Sequence, residues 1–110
     1  MTKMGRKRNR HGVDRVFVKD FKYEIGSPES HELSINETNF VDWELELSVS
    51  EEELYYFEEA NLIKEPIEFA IYIRYMNRLT GKAIVKSIGE NTIVVKGITV
   101  LYDYRYVSLL

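Results

Sequence analysis

The chain has 110 residues, no cysteine, 18 acidic and 15 basic residues, and a formal net charge of −3. This length is typical of one domain with a single core, and the lack of cysteine excludes disulfides and thiolate chemistry. No apolar run approaches the roughly 20 residues of a membrane span, and no apolar signal-peptide core is present at the N-terminus. We therefore expect one domain, synthesised in the cytoplasm and without a membrane partner.

The basic residues are concentrated at the N-terminus. Residues 1–12 carry five of them and no acid, which leaves 10 basic and 18 acidic residues for the remainder. The five are Lys3, Arg6, Lys7, Arg8 and Arg10. Because residues 1–12 show no apolar periodicity, we predict a basic arm that is disordered or ordered by nucleic acid or an acidic protein surface, attached to a domain of residues 13–110.

The first predicted strand covers Arg15–Tyr23, where Phe17, Phe21 and Tyr23 alternate with Val16, Val18 and Lys22. The stretch from Gly26 to Asn39 is rich in turn-forming residues, which favours a long loop. An alternative is a short edge strand around Leu33 and Ile35. Long loops in small domains often contact partners, so four loop residues are candidates for interaction: Ser27, Glu29, His31 and Glu32.

Three local signals agree between Asp42 and Ile73. Trp43–Val49 alternates apolar and polar residues, which predicts a half-buried strand. Ser50 and Glu53 have the spacing of a capping box, so a helix is predicted at about 51–61, and it ends before Pro66. Ile67–Tyr75 then alternates again and predicts a second strand.

The helix carries the densest set of carboxylates in the chain. Four of them are predicted on its exposed face: Glu51, Glu52, Glu58 and Glu59. Carboxylates perform acid and base catalysis when burial separates their pKa values, which an exposed face does not provide. This pattern indicates a solvated surface or a docking site for a basic partner.

The second half of the chain predicts hairpins. Met76–Lys82 reads as a turn, Ala83–Ile88 and Thr92–Val95 as strands, and Gly89–Asn91 as a tight reversal. Gly81, Gly89 and Gly97 recur every eight residues, and turn or bend geometry explains them. Ile98, Val100 and Tyr102 then predict resumed alternation, and Tyr104–Leu110 is apolar enough for a final strand.

These elements predict a mainly β fold with six to seven antiparallel strands, closed as a small barrel or packed as a sandwich, and one short helix. His11 and His31 lie in segments predicted to be irregular, and neither has a second ligand at a metal-binding spacing. No serine has a recognisable histidine base. We therefore predict that the protein is not an enzyme and binds no cofactor, metal or small-molecule substrate.

The order of the elements carries a family resemblance. A strand, the helical segment Ser50–Ala60, the strand Pro66–Tyr75 and the segments Gly81–Val85 and Thr92–Ile98 together resemble the head-closure, or head-tail joining, proteins of long-tailed bacteriophages. The resemblance covers about residues 41–101, and more loosely Val13–Phe21. The basic arm is longer and more charged than that family leads one to expect, and no individual residue matches a functional position.

The resemblance implies a stopper-type subunit of the virion that assembles as a ring below the portal and adaptor proteins. Such a ring closes the DNA exit channel and docks the tail. Two alternatives follow from the charges: a small nucleic-acid-binding barrel that uses its basic arm, and a small inhibitor that covers a basic protein surface with its acidic face.

Overall fold

The computed structural model describes residues 8–19, 22–26, 31–36, 38–73 and 78–103, and this part of the chain contains eight strands and one helix. The elements are β1 (Arg8–Val18), β2 (Tyr23–Glu24), β3 (Glu32–Asn36), β4 (Asn39–Ser48), α1 (Glu51–Leu62), β5 (Ile67–Ile73), β6 (Arg78–Ile88), β7 (Thr92–Gly97) and β8 (Tyr102–Asp103). The predicted mainly β fold with a single short helix is confirmed.

Six antiparallel strands form a closed barrel in the order β1, β3, β4, β7, β6 and β5, with β5 returning to β1. Closure depends on β1, which pairs with β3 over Arg8–Gly12 and with β5 over Val13–Phe17. The register shifts between Val13 and Arg15, where the strand changes partner. The short strands β2 and β8 add to β1 and β6. Closure pairs strand edges that an open sheet would expose.

The core lies inside the barrel. The predicted alternation of β4 is confirmed, because Trp43, Leu45 and Leu47 are fully buried. In β5 the predicted apolar face is also buried: Ile67, Phe69, Ile71 and Ile73. Phe57 of α1 is fully buried and stacks on Phe69, with ring centroids 6.5 Å apart. The helix therefore closes the core against the barrel.

Strand register defines two ends of the barrel. At the helix end, β4 finishes at Ser48 and leads into α1, and Ser48 pairs with Thr92. At the opposite end, which we call the arm end, β4 begins at Asn39; Asn39 pairs with Asn36, and Asn36 pairs with Arg8. Arg8, the first described residue, therefore lies at the end away from the helix.

Two predictions about the first third of the chain were wrong. The predicted loop Gly26–Asn39 contains β3, in which Leu33 is fully buried. The alternative of a strand at Leu33 and Ile35 was right about the strand and wrong about the edge, because β3 lies between β1 and β4. Polar residues around Leu33 weaken the apolar alternation, so the pairing depends on distant partners.

The folded domain also begins earlier than predicted. Residues 8–12 were assigned to the arm, whereas they form the first half of β1. Their backbone hydrogen-bonds to β3, a partner twenty or more residues away that local composition does not reveal. Tyr23 falls in the separate strand β2, and Phe21 lies outside the described residues.

The explanation of the glycines by turns holds for Gly89 but fails for Gly81 and Gly97. Gly89 closes the β6–β7 hairpin, where its N–H donates to the carbonyl of Thr92 (2.8 Å). Gly81 lies within β6 opposite Phe69, and Gly97 is the last residue of β7. A methyl group on Gly97 would overlap the Trp43 indole, and one on Gly81 would lie 3.0 Å from it. These two glycines make room for a side chain.

Two further expectations for the second half need correction. β6 starts at Arg78, so the predicted turn through Lys82 is strand, and Met76 and Asn77 lie outside the described residues. After Gly97 the alternation does not resume, since Leu101 is buried while Ile98 and Tyr102 are exposed. The cause is a residue far away in sequence, because the Trp43 Nε1–H donates to the carbonyl of Thr99 (2.8 Å) and holds this segment in place. Tyr104–Leu110 lies outside the described residues.

Candidate functional site

The start of α1 is fixed by a buried carboxylate. The predicted capping box is confirmed: the Glu53 N–H donates to Ser50 Oγ (3.2 Å), and the Ser50 N–H donates to Glu53 Oε1 (2.9 Å). Glu53 Oε2 also accepts the N–H of Gly26 (3.0 Å) and faces the Tyr23 hydroxyl (3.5 Å). Desolvation, and then the charge of Glu53, raise the pKa of that hydroxyl. The helix is thereby joined to the segment after β1.

His31 and Gly26 complete this connection. The His31 ring is buried, with Nε2 3.1 Å from the carbonyl oxygen of Ile25 and Nδ1 3.4 Å from the amide nitrogen of Ser48. Burial lowers the pKa of His31, and a neutral ring with its proton on Nε2 satisfies both contacts. Gly26 has φ of +52°, and a methyl group there would overlap the carbonyl of Ser48. The sequence suggested a surface role for His31, but the ring is part of the fold.

The other predicted loop residues divide into two groups. Glu32 lies on β3, where its carboxylate pairs with the guanidinium of Arg10 at 3.1 Å. Arg10, assigned to the arm, is therefore on the barrel wall, and both residues line a shallow charged groove of about 200 Å³ with Glu44 and Glu46. Ser27 and Glu29 lie outside the described residues.

The basic arm is mostly beyond the described part of the chain. Lys3, Arg6 and Lys7 lie outside it, and Arg8 is the first residue of β1. On the barrel wall, cations and acids are paired: Arg15 with Glu24 at 3.0 Å and Lys86 with Glu44 at 2.7 Å. The wall therefore has much of its charge balanced within the chain.

The outer face of α1 is different. It carries three strongly exposed apolar residues: Tyr55 (70% exposed), Leu62 (83%) and Ile63, just after the helix (71%). Tyr55, Glu58, Glu59 and Leu62 follow the spacing of a helical stripe and line a shallow groove of about 570 Å³ with Asn61 and Ile88. We call the residues Tyr55, Glu58, Glu59, Leu62 and Ile63 the helix patch.

The acids around the helix patch lack counterions in the part of the chain that the structure describes. Glu51, Glu52, Glu58 and Glu59 are all exposed, and no ion pair joins any of them to a described Lys, Arg or His. The last turn of the helix also has no basic residue. Unbalanced acids beside exposed apolar side chains favour a partner with cationic and apolar groups.

Sequence reasoning identified these acids but missed the apolar half of the surface. Tyr55 lies within the predicted helix and was given no role, and Leu62 and Ile63 lie between the predicted end of the helix and Pro66. The missed signal is that apolar residues occur on both sides of the helix: Phe57 and Ala60 face the core, whereas Tyr55 and Leu62 face outward. A helix that only covers a core carries a single apolar stripe.

Within the described ranges, no group of three His, Asp or Glu side chains is placed to hold a metal ion. No helix among the described residues is both long and apolar enough to cross a membrane.

Comparisons with known proteins concern the fold. No family model and no curated protein sequence matches the chain. The structure is similar to the crystal structure of a hypothetical protein from Staphylococcus aureus, with a TM-score of 0.66 and 17% sequence identity. The alignment covers 84% of this chain and 69% of that one. At this identity the likeness shows that the two proteins share a fold.

Proposed function

We propose that the protein is a structural subunit of a multiprotein assembly, a virion connector of the kind its sequence resembles. It assembles as a ring, contacts portal or adaptor proteins on one side and tail proteins on the other, and closes the DNA exit channel. The observation that carries the proposal is the helix patch: exposed apolar side chains with unbalanced acids, on a helix rigidly capped and packed on a closed barrel.

The helix patch suits protein docking on two grounds. Exposed Tyr, Leu and Ile side chains on neighbouring positions lose water-exposed apolar area when a partner covers them, which stabilises a complex by about 25 cal/mol for each Å². The patch is also preorganised, because the Glu53 capping network and the Phe57–Phe69 stack fix α1 before any partner arrives. A partner that docks here therefore has to order only exposed side chains, because the helix itself is already fixed.

The charge distribution disfavours the nucleic-acid alternative. Arg10, counted with the arm, already pairs with Glu32, and the surface of α1 is acidic. An acidic surface repels a phosphate backbone. The inhibitor alternative uses the same helix patch, and differs in that a single copy covers a basic protein surface without forming a ring.

Assembly is the test. Purified protein is measured by native mass spectrometry, alone over a range of concentrations and after co-expression with candidate portal, adaptor and tail proteins. We expect oligomers or complexes, and we expect Leu62→Glu to weaken them at least about tenfold, since a charge replaces a buried apolar contact. Because Leu62 is 83% exposed, this change leaves stability nearly unaltered.

Lys82→Gln is the matched control, because it changes the net charge by the same amount at an exposed position on the barrel wall. A protein that stays monomeric and binds none of those proteins overturns the proposal. Salt-sensitive DNA binding that disappears on deletion of residues 1–7 would support the nucleic-acid alternative in its place. One copy bound to one partner, without a ring, would support the inhibitor.

A further inference from the structure

We propose that the helix patch is occupied, in the assembled state, by residues 1–7 of a neighbouring copy of the chain. This inference rests on the proposed function and specifies how adjacent subunits join. Three observations support it: complementary charge, the positions of the two elements at opposite ends of the barrel, and the shape and chemistry of the groove.

The charges of these two segments are complementary. Residues 1–7 contain Lys3, Arg6 and Lys7 and no acid. Two acids of the barrel wall already have cationic partners, since Glu32 pairs with Arg10 and Asp42 lies 3.6 Å from Lys96. By contrast, the α1 acids form no ion pair with a described residue. The helix therefore presents four clustered acids without a described counterion, a surface that suits a basic segment.

The geometry assigns the segment to another copy. Arg8 lies at the arm end, and β4 runs ten residues from there to the helix end, a length of about 33 Å. Seven residues reach at most about 25 Å when fully extended. Lys3 and its neighbours therefore fall short of α1 in their own chain, whereas a copy stacked with its arm end toward α1 brings them into contact.

This contact is heterologous, because the surface given by one copy differs from the surface used on the next. Repetition of a heterologous contact closes into a ring when the rotation between copies allows it, and otherwise continues as a filament. The arm end also exposes Phe40 (55% exposed) and Val41 (38%). These side chains add apolar area at the end of the subunit that faces the neighbour.

The groove accepts the sequence of the segment. Its volume of about 570 Å³ lies between Tyr55, Leu62 and Ile88, and Glu58 and Glu59 line it. Met4 stands between Lys3 and Arg6, and a methionine side chain adapts readily to irregular apolar surfaces. With Met4 in the groove, the flanking cations lie within reach of the carboxylates.

Cross-linking between single-cysteine copies tests the contact, and the absence of native cysteine makes the experiment clean. Full-length Lys3→Cys and Glu59→Cys proteins are mixed and treated with a short bismaleimide. We expect a covalent heterodimer at least about tenfold more abundant than in the matched mixture of Lys3→Cys with Glu68→Cys, which places the thiol at an exposed position on β5. Salt should suppress it.

Reversal of the charges on the two segments provides a second test. Arg6→Glu with Lys7→Glu, and separately Glu58→Lys with Glu59→Lys, should each weaken self-association about tenfold or more. The four substitutions in one chain should restore most of it. Glu46→Lys with Glu68→Lys is the control, since it makes the same charge change at exposed positions on β4 and β5.

The outcomes separate this inference from the proposed function. The arm contact is overturned if oligomers persist unchanged when the charges of Arg6 and Lys7 are reversed, or if Lys3→Cys cross-links equally to positions 59 and 68. Either result leaves the assembly role intact. An intramolecular cross-link in a dilute Lys3→Cys/Glu59→Cys chain overturns the assignment to a neighbour. Absence of any oligomer or complex in the wild type overturns both.

Discussion

Trp43 restricts the residue types that fit at one position of β6 and one position of β7. Its indole is fully buried, and its Nε1–H bonds to the carbonyl of Thr99, so the ring cannot move away without losing that bond. The ring lies over the backbones of Gly97 and Gly81. The requirement for glycine at these positions comes from close packing, whereas the sequence alone suggested turns.

Gly97→Ala should be strongly destabilising. The added methyl group overlaps the indole of Trp43, and overpacking of a rigid core costs about 1–3 kcal/mol, so a value at or above the upper end is expected here. Urea unfolding measures the loss. Gly89→Ala is the control, because its methyl group meets only the movable hydroxyl of Thr92 at 2.7 Å. Equal losses for the two variants would contradict the packing explanation.

His31 links stability to pH. Burial lowers its pKa in the folded state from the ordinary value of 6.5. As the pH falls below about 6.5, the unfolded chain takes up a proton on this ring before the folded chain does, so the free energy of unfolding decreases. The decrease continues until the folded pKa is passed. Above about 6.5 both states are neutral and the contribution is fully present.

We therefore expect urea unfolding to show a stability that falls between about pH 7 and about pH 5, by up to about 1.4 kcal/mol for each pH unit from this ring. His31→Gln keeps a donor for the Ile25 carbonyl and lacks the titration, so its stability should vary less over this range. The nearby carboxylates Glu24 and Glu53 are common to both proteins. An identical pH dependence in the two would show that His31 does not carry the effect.

At the level of elements, predictability depends on whether the cause is local. The boundaries of α1 follow from Ser50, Glu53 and Pro66, which are all near the helix in sequence, and the structure confirms them within one residue at the C-terminal end. Strand β3 depends on β1 and β4 instead. Its composition resembles a loop, so no local rule identifies it.

Glu53 has a larger role than a capping residue usually has. One oxygen accepts the Ser50 N–H, and the other accepts the Gly26 N–H. Glu53→Gln replaces one acceptor oxygen by an NH₂ group that faces a donor, which should cost about 2 kcal/mol. Chemical denaturation measures this cost.

Glu52→Gln is the comparison, because Glu52 is exposed and one position away in the same helical turn. We expect a change within about 0.5 kcal/mol. If Glu53→Gln were equally mild, the network that joins α1 to Gly26 would contribute little to stability.

At the level of the whole molecule, closure of the barrel depends on one strand. Alternation predicts most of the strands, and it does not indicate that β1 divides its pairing between β3 and β5. The candidate site was likewise predicted in part. Glu58 and Glu59 follow from the sequence, whereas the exposure of Tyr55 and Leu62 depends on which helix face packs against the barrel, and only the fold determines that.

Hydrogen exchange tests closure. If the barrel is closed, the slowest amides of the β1–β5 seam should exchange by global unfolding, at the same free energy as those between β4 and β7. Native-state exchange at increasing denaturant compares the two sets directly. Seam amides that exchange about a hundredfold faster, through a separate opening, would show that the barrel opens between β1 and β5.

The position of Trp43 also provides an optical probe. It is the single tryptophan of the chain, it is shielded from water inside the barrel, and it lies on β4 rather than on α1. Its fluorescence should therefore shift when the barrel unfolds and stay constant when subunits separate at the helix patch. The wavelength of maximum tryptophan emission and the mass of the oligomer, measured on one sample, would distinguish a variant that fails to fold from one that folds and fails to assemble.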